Sequence, residues 1–185
     1  MSEDYSIRMA TVDDAEALLG IYDYYVKETA ITFEYETPSL EEFQGRIRKT
    51  LLKFPYLVLE TERADGQGKE ILGYAYAGTF KDRAAYQWSV EMSIYLNKDK
   101  RREGLGRALY QELEKRLKEQ GILNLYACIG YPDEEDEHLT RDSVYFHEKM
   151  GYSMIGKFSK CGYKFGKWYS LVWMEKMIGE HFLLH

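Results

Sequence analysis

The chain has 185 residues, of which 45% are hydrophobic and 30% are charged, and its formal net charge is −6. This length suits a single domain with a substantial core, predicted to span residues 1–185. The negative net charge argues against nucleic acid as the main partner, and no apolar run approaches the roughly 20 residues of a membrane span. The acidic start lacks the basic-then-apolar order of a signal peptide, which predicts a cytoplasmic protein.

The first third of the chain predicts a strand followed by two helices. The strand is expected at 5–10, and Thr11 with an acid three residues later has the spacing of a capping box for the first helix. Ser39 starts the same pattern for a second helix, which ends before Pro55. The segment between the two helices, residues 28–38, is too apolar for a loop that only connects them.

The middle of the chain predicts three strands and a helix. Strands at 56–62 and 70–79 are separated by a hairpin connection. A polar loop leads to an alternating strand at 90–96. Leucines at every fourth position then predict an amphipathic helix at 104–120.

The last third predicts a strand, a short helix and two final strands, at 123–129, about 141–150, about 152–158 and about 167–175. A loop over 159–166 joins the last two strands, and Cys128 is expected to be a buried thiol. The order β-α-α-β-β-β-α-β-α-β-β predicts an α/β protein with helices packed on a mixed sheet. The tail, 177–185, is either a frayed end or an arm that packs on a partner.

The most informative motif is Arg101-Arg102-Glu103-Gly104-Leu105-Gly106-Arg107, between the strand 90–96 and the helix 104–120. Its glycines let several backbone N–H groups converge, and the helix dipole adds about half a positive charge there. Residues 98–107 hold five basic and two acidic side chains, an excess that suits a polyphosphate. The turn therefore predicts a site for a phosphorylated cofactor. A helix N-terminus with a solvated basic face would have the same features.

Two nucleotide motifs do not fit this turn. A dinucleotide fingerprint needs a small residue where Leu109 stands, and a P-loop needs Gly-Lys-Ser/Thr where Gly106 is followed by Arg107. The remaining pattern, Arg-x-x-Gly-x-Gly, resembles the acyl-CoA turn of the GNAT (GCN5-related) N-acetyltransferases. The resemblance implies that backbone amides of residues 101–107 hold the CoA pyrophosphate.

Four stretches, one of which includes this turn, resemble the phosphinothricin acetyltransferase branch of the GNAT superfamily, which acetylates small amino-acid-like amines. They are Ile31-Thr32-Phe33-Glu34, then Gly73–Gly78 through Tyr86–Glu91, then Gly104-Leu105-Gly106 with Leu109-Tyr110, and finally His147–Tyr152 through Gly162–Trp168. The predicted element order is also that of the GNAT fold. The resemblance implies acetyl-CoA as co-substrate, no metal, and a homodimer, since relatives commonly pair.

Glu91 is the candidate general base. A substrate ammonium with a pKa near about 10 must lose a proton before it can attack a thioester, and Glu91 matches the family's glutamate that removes it. The alternatives are a surface carboxylate at a sheet edge or a structural ion pair. His147 matches a histidine of this branch and could act as an acid or orient the substrate; a structural histidine is the alternative, and Tyr145 is a weaker candidate.

The resemblance assigns further residues to the two substrates. The N–H of Ser93 or Ile94 polarises the thioester carbonyl, and Ser143 lies beside the pantetheine. Recognition of the amine draws on Phe33, Arg83, Tyr86, Lys164 and Trp168. Arg83 could hold a carboxylate or phosphinate by a bidentate contact. A solvated arginine and ordinary core aromatics are the alternatives.

Three features depart from the family pattern. An insert between Pro132 and Asp142, with the acidic run 133–137, lengthens a loop, Thr140 stands where asparagine is usual, and Ser170 stands where aspartate is frequent. The acidic loop could favour a cationic amine, or it could be solvated. Acetylation of a polyamine, aminoglycoside or protein N-terminus is therefore a second hypothesis. A non-catalytic CoA-binding sensor or assembly subunit is a third, although such a protein would need neither Glu91 nor His147.

Overall fold

The computed structural model describes residues 5–63, 65–100 and 104–182. Its strands are Tyr5–Met9 (β1), Tyr56–Glu62 (β2), Lys69–Thr79 (β3), Ser89–Leu96 (β4), Asn124–Tyr131 (β5), Ser153–Lys164 (β6) and Lys167–Met177 (β7). Its helices are Ala15–Glu28 (α1), Leu40–Leu51 (α2), Leu105–Glu119 (α3) and Asp142–Lys149 (α4). The strands form a mixed sheet in the order β1-β2-β3-β4-β5-β7-β6. The predicted α/β class and element order are confirmed.

The chain forms two compact units, each drawn from three separate segments. The first contains Met1–Tyr22, Pro38–Gly78 and Ser93–Gln120, and the second contains Asp23–Thr37, Thr79–Met92 and Gly121–His185. Because the segments interleave along the chain, the units are not sequential domains. The prediction of one domain stays a prediction.

In the first unit, β1, β2 and β3 pair antiparallel, and helices α2 and α3 both contact β2. The predicted leucine stripe of α3 is buried, at Leu105, Leu109, Leu113 and Leu117. Stacked rings also pack within this unit: Tyr56 lies 5.7 Å from Tyr74 and 4.7 Å from Tyr76 between ring centroids. These rings explain part of the high tyrosine content, because each buries a large apolar area.

In the second unit, β5 pairs antiparallel with β7, and β7 pairs antiparallel with β6. Helix α4 contacts β5. The start of β5 is also bonded to the segment before β4, since the Trp88 carbonyl accepts from the N–H groups of Leu123 (2.9 Å) and Asn124 (3.1 Å).

The prediction of a loop at 159–166 is wrong. Strand β6 continues to Lys164, and only Phe165 and Gly166 form the turn to β7. The pairing of β6 with β7 shifts register between Phe158 and Gly162. This bulge interrupts the alternation of side chains, which is why the sequence pattern resembles a loop.

The tail is bonded to its own chain at residues 178 and 181. The Ile178 N–H donates to the Leu123 carbonyl (2.9 Å), and His181 Nε2 lies 2.8 Å from Asn124 Oδ1. The tail therefore packs on its own chain at the start of β5. Among the described residues, no helix is long and apolar enough to cross a membrane, and no cluster of three or more His, Cys, Asp and Glu side chains could hold a metal ion.

Candidate active site

The predicted phosphate-binding turn is built around Gly104. This residue has a φ of 83° and is the N-cap of α3, a left-handed conformation that glycine adopts without strain. Its carbonyl accepts from the N–H groups of Arg107 (3.1 Å) and Ala108 (3.2 Å). The amides of Leu105 and Gly106 come before these bonded groups and point out of the helix N-terminus, where an anion binds. Of the other predicted turn residues, Leu105 and Gly106 are buried and Arg107 is exposed, whereas Arg101, Arg102 and Glu103 lie outside the described residues.

Strand β4 carries three predicted residues of the reaction centre: Glu91, Ser93 and Ile94, all half-buried. The registered pairs of β4 with the parallel strand β5 run from Ser89↔Asn124 to Glu91↔Tyr126. Glu91 thus stands at the end of the paired segment of these two strands. Ser93 and Ile94 follow it two and three positions later.

The carboxylate of Glu91 is in a poorly hydrated position. Burial raises its pKa above the ordinary value, and the ammonium of Lys81 opposes that rise. Because Glu91 and Tyr126 are register partners, their side chains lie on the same face of the sheet. A carboxylate with a raised pKa is a stronger base than an exposed one, as proton abstraction from an amine requires.

Four rings form an aromatic wall on this face: Phe80, Tyr86, Tyr126 and Trp173. Phe80 stacks on Tyr126 with 4.3 Å between ring centroids. It meets Trp173 and Tyr86 edge-on, at 5.8 and 6.0 Å. The structure therefore makes one predicted substrate residue, Tyr86, part of the wall beside Glu91.

His147 is buried on α4, with 3% of its surface exposed. Its Nδ1 lies 2.7 Å from the Ser143 carbonyl, and because a carbonyl only accepts, Nδ1 carries the proton. Burial lowers the pKa of His147 to about 4, although the bond to Ser143 opposes this. The imidazole is therefore neutral near pH 7, with Nε2 unprotonated. Ser143, predicted to lie beside the pantetheine, supplies this carbonyl and is itself half-buried.

Lys164 fixes the loop between α1 and α2. Its side chain is buried, and Nζ donates to the carbonyls of Thr29 (2.7 Å) and Thr32 (2.8 Å). Burial lowers the pKa of Lys164 to about 8, and the carboxylate of Glu34 opposes that change. Two of the three N–H bonds of this predicted substrate residue are thus used within the protein.

Phe33 is held against β6 by the same loop. Its ring packs so closely on Gly162 that a Cβ at Gly162 would lie 2.6 Å from it. The hydroxyl of Tyr35 donates to the Tyr163 carbonyl (2.6 Å). The structure therefore brings Phe33 and Lys164 together at the end of β6, as the spacing of these residues in the chain could not show.

Arg83 and Trp168 are the two predicted substrate residues with the most open surroundings. Arg83 is exposed and precedes a 3₁₀ turn at Ala84–Tyr86. Trp168 is the second residue of β7 and has 57% of its surface exposed, and its ring tilts against Tyr163 at 5.1 Å. Both side chains are accessible to a ligand.

The prediction of a buried Cys128 is wrong, because its thiol is exposed. Leu125, Ala127 and Ile129 take the core side of β5, so Cys128 points to the opposite face, with Tyr126. Although the residue is exposed, protein atoms around its sulfur partly desolvate the thiol, which raises the pKa of Cys128 to about 11, and the charge of Glu91 adds to the rise. Sequence reasoning missed this neighbour of Glu91, although the alternation within 124–129 contains the signal.

The acidic loop at 133–137 is largely engaged within the protein. Asp133 pairs with Lys157 (2.5 Å), and Asp136 pairs with Lys167 (2.7 Å). Although burial opposes it, hydrogen bonds from Lys167, Tyr169 and two backbone amides lower the pKa of Asp136 to about 2. The Glu135 carboxylate accepts from the Arg141 N–H (2.7 Å).

Ser170, where the family pattern has aspartate, has a structural role. It is 1% exposed, and its hydroxyl accepts from the N–H of Lys160 (3.0 Å). Lys160 has a φ of 50° and lies within the β6 bulge. Ser170 therefore fixes the bulge between Phe158 and Gly162. Thr140 accepts a long bond from the Asp142 N–H (3.4 Å) at the start of α4.

Comparison with known proteins identifies relatives over nearly the whole chain. Residues 7–173 match the family described as acetyltransferase (GNAT) domain. A phosphinothricin N-acetyltransferase of Streptomyces viridochromogenes is 32% identical over 170 residues, 92% of this chain and 86% of that protein. An L-methionine sulfoximine/L-methionine sulfone acetyltransferase of Pseudomonas paraeruginosa is 32% identical over 174 residues, 92% of this chain and 92% of that protein.

A solved structure agrees with these relatives. The crystal structure of a GNAT superfamily phosphinothricin acetyltransferase from Sinorhizobium meliloti, in complex with AcCoA, is similar with a TM-score of 0.82 and 30% sequence identity. The similarity covers 95% of this chain and 89% of that one.

Proposed function

This chain belongs to the GNAT acetyltransferase family, and on that premise we propose that it moves an acetyl group from acetyl-CoA to the primary amine of a small amino-acid-like substrate. Phosphinothricin and methionine sulfoximine represent the expected class. The observation that carries the proposal is Glu91, a half-buried carboxylate of raised pKa beside an aromatic wall. The similarity to enzymes named for these substrates supports the choice of amine.

Glu91 starts the reaction in this proposal. Its carboxylate takes one proton from the substrate ammonium, directly or through a water molecule. The amine lone pair then attacks the thioester carbonyl carbon, so that a C–N bond forms and the C–S bond breaks. The second proton leaves the nitrogen and ends on the thiolate, which departs as the free thiol. The N–H of Ser93 or Ile94 stabilises the negative charge on the carbonyl oxygen.

The turn at Gly104 supplies the phosphate site. The first-turn amides of α3 and the basic side chains of residues 101–107 neutralise the pyrophosphate of acetyl-CoA. Ser143 lies beside the pantetheine arm. His147 is neutral at pH 7, so we assign it to orienting a donor through Nε2 and not to protonating the thiolate.

Two parts of the second unit favour an anionic amino-acid-like amine over a polyamine. Arg83 is exposed and can form a bidentate bond with a carboxylate or phosphinate. Of the five acids in the acidic loop, Asp133 and Asp136 already pair with lysines, which lowers the charge that the loop offers to a polyamine. Phe33, Tyr86 and Trp168 supply the apolar surface, and Lys164 holds the loop that carries Phe33.

Assembly and location belong to the same proposal. Strand β6 is an edge of the sheet, and its apolar side chains Met154, Ile155 and Phe158 are 44, 51 and 56% exposed. An edge strand with such side chains favours pairing with another chain, which supports a homodimer. A cytoplasmic location fits the use of acetyl-CoA.

The test is release of free CoA from acetyl-CoA with a panel of amines. The panel contains amino acids, phosphinothricin, methionine sulfoximine, polyamines, aminoglycosides and a peptide with a free N-terminus. We expect turnover with the amino-acid analogues, and a loss of at least about 100-fold in Glu91→Gln. Glu62→Gln, an isosteric change at an exposed position of β2, is the matched control and should keep full activity.

Three results would contradict parts of the proposal. Turnover confined to polyamines, aminoglycosides or the peptide would show that the substrate is not a small amino-acid-like amine. Unchanged turnover in Glu91→Gln would remove the base assignment. Binding of acetyl-CoA without turnover of any amine would favour the non-catalytic sensor.

A further inference from the structure

Side chains cover the face of the sheet next to Glu91 unevenly. On the side toward Tyr126, the stacked ring of Phe80 covers the sheet, with 4.3 Å between the ring centroids. Two residues further along β5, the same face carries only the small side chain of Cys128, which is exposed. Beside the Glu91 carboxylate, this face of β5 is therefore open over Cys128.

The neighbouring strands β7 and β6 also indicate that Cys128 lies beside Glu91 and the aromatic wall. Its register partner on β7 is Trp173, which meets the ring of Phe80 edge-on as part of the aromatic wall. Cys161 follows Lys160 in the β6 bulge and is also exposed. Glu91, Lys81 and Cys161 each affect the pKa of Cys128 electrostatically, so these four groups share one neighbourhood.

We propose that Cys128 is a specificity-determining residue that forms the floor of the amine pocket beside Glu91, with Cys161 at its rim. This inference rests on the proposed function and names a part of that site. A thiol is small and weakly polar, so it leaves space for the carbon that bears the amine. A larger side chain at position 128 would occupy the space that the amine needs to reach Glu91.

Thiol labelling tests the placement in the unaltered protein. Methyl methanethiosulfonate converts a thiol into a methyl disulfide and releases methanesulfinate, which adds one small group at the pocket floor. The thiolate is the form that reacts, and the raised pKa keeps the Cys128 thiol mostly protonated at neutral pH. The reaction is therefore run at pH 9, where more of the thiol is ionised. We expect labelling to reduce amine turnover at least about tenfold and a saturating amine substrate to slow the labelling.

Two serine variants identify the thiol responsible. Cys128→Ser should turn over the amine and resist the reagent, whereas Cys161→Ser should remain sensitive. Sensitivity of Cys128→Ser equal to that of the unaltered enzyme, or labelling of Cys128 that leaves turnover unchanged, would overturn the proposal.

A size series then tests specificity. In Cys128→Leu we expect the KM for the amine to rise at least about tenfold, while the KM for acetyl-CoA changes less than about twofold. Cys128→Ala provides the measurement if the leucine variant does not fold, and should increase the turnover of bulkier amines relative to smaller ones. Unchanged preference in both variants would contradict a pocket floor at this position.

The outcomes separate this inference from the proposed function. If the unaltered enzyme acetylates amino-acid analogues but neither labelling nor substitution of Cys128 affects the amine, only the pocket assignment fails. If the unaltered protein turns over no amine and no amine slows the labelling, the proposed function and the pocket assignment both fail.

Discussion

Glu91 and His147 show how burial selects the protonation state of a side chain. Loss of hydration disfavours the charged form in both, so it raises the pKa of the carboxyl and lowers the pKa of the imidazole. Glu91 becomes a better base than an exposed glutamate. His147, with a pKa of about 4, is a neutral ring at pH 7. The two residues therefore cannot exchange roles, although both were candidates for proton transfer.

The pH dependence of kcat/KM should report the raised pKa of Glu91. A base must be deprotonated, so activity should fall as the pH falls through that pKa, at a higher pH than the ordinary glutamate value of about 4.3. Lys81 holds the pKa down, so Lys81→Met should move the acid limb to a still higher pH. Lys118→Met, at an exposed position of α3, is the control. An acid limb at the same pH in Lys81→Met would contradict the interaction.

His147 should make the protein less stable in acid. Its folded pKa of about 4 lies below the unfolded value of 6.5, so the unfolded chain binds more protons between these two values. Stability therefore rises with pH across this window and is lost as the pH falls from about 6.5 to about 4, by up to about 3 kcal/mol. Thermal unfolding midpoints over pH 4–8 measure it.

His147→Phe removes the titration and keeps an aromatic ring in the site. Its midpoint should depend less on pH below about 6.5, and its difference from the unaltered protein should be constant above pH 7. Parallel pH profiles of the two proteins would show that His147 is not the titrating group.

At the scale of the elements, the turn before α3 depends on one glycine. Among the described residues, no atom lies within 4 Å of a Cβ built at Gly104, so its positive φ is the obstacle to a side chain. Gly104→Ala should strain the turn by about 1 kcal/mol and weaken acetyl-CoA binding about fivefold. Gly45→Ala in α2, where φ is ordinary and the space is also open, should stabilise the helix and leave acetyl-CoA affinity unchanged. Calorimetric titration distinguishes the two, and equal affinities would contradict a role for the turn.

The elements also show where local patterns fail. The leucine period of α3 and the cap at Ser39, whose hydroxyl accepts from the Glu42 N–H (3.2 Å), are local features, and both were predicted correctly. The β6–β7 hairpin was not, because its bulge depends on a buried hydroxyl at Ser170 that comes from the neighbouring strand. A residue ten positions away in the chain thus decides whether a segment is strand or loop.

At the scale of the whole molecule, the proposed homodimer is tested by light scattering after size-exclusion chromatography. Replacing Ile155 on the edge strand β6 with lysine should shift the protein from dimer to monomer, because a charge there opposes pairing of edge strands. Leu52→Lys is the matched control, since Leu52 is another exposed apolar side chain (88%) in a different part of the chain. A monomer before any substitution would contradict the proposal.

The sequence by itself determined the element order, the α/β class, the glycine turn before α3 and the candidacy of Glu91, because these depend on short-range periodicity and on motif spacing. Tertiary structure decided the surroundings of each side chain. It placed Cys128 beside Glu91, engaged Lys164 with two carbonyls and paired two acids of the acidic loop with lysines. Burial and charge come from residues distant in the chain, and pKa values and pocket shape depend on them. No local pattern could therefore contain this information.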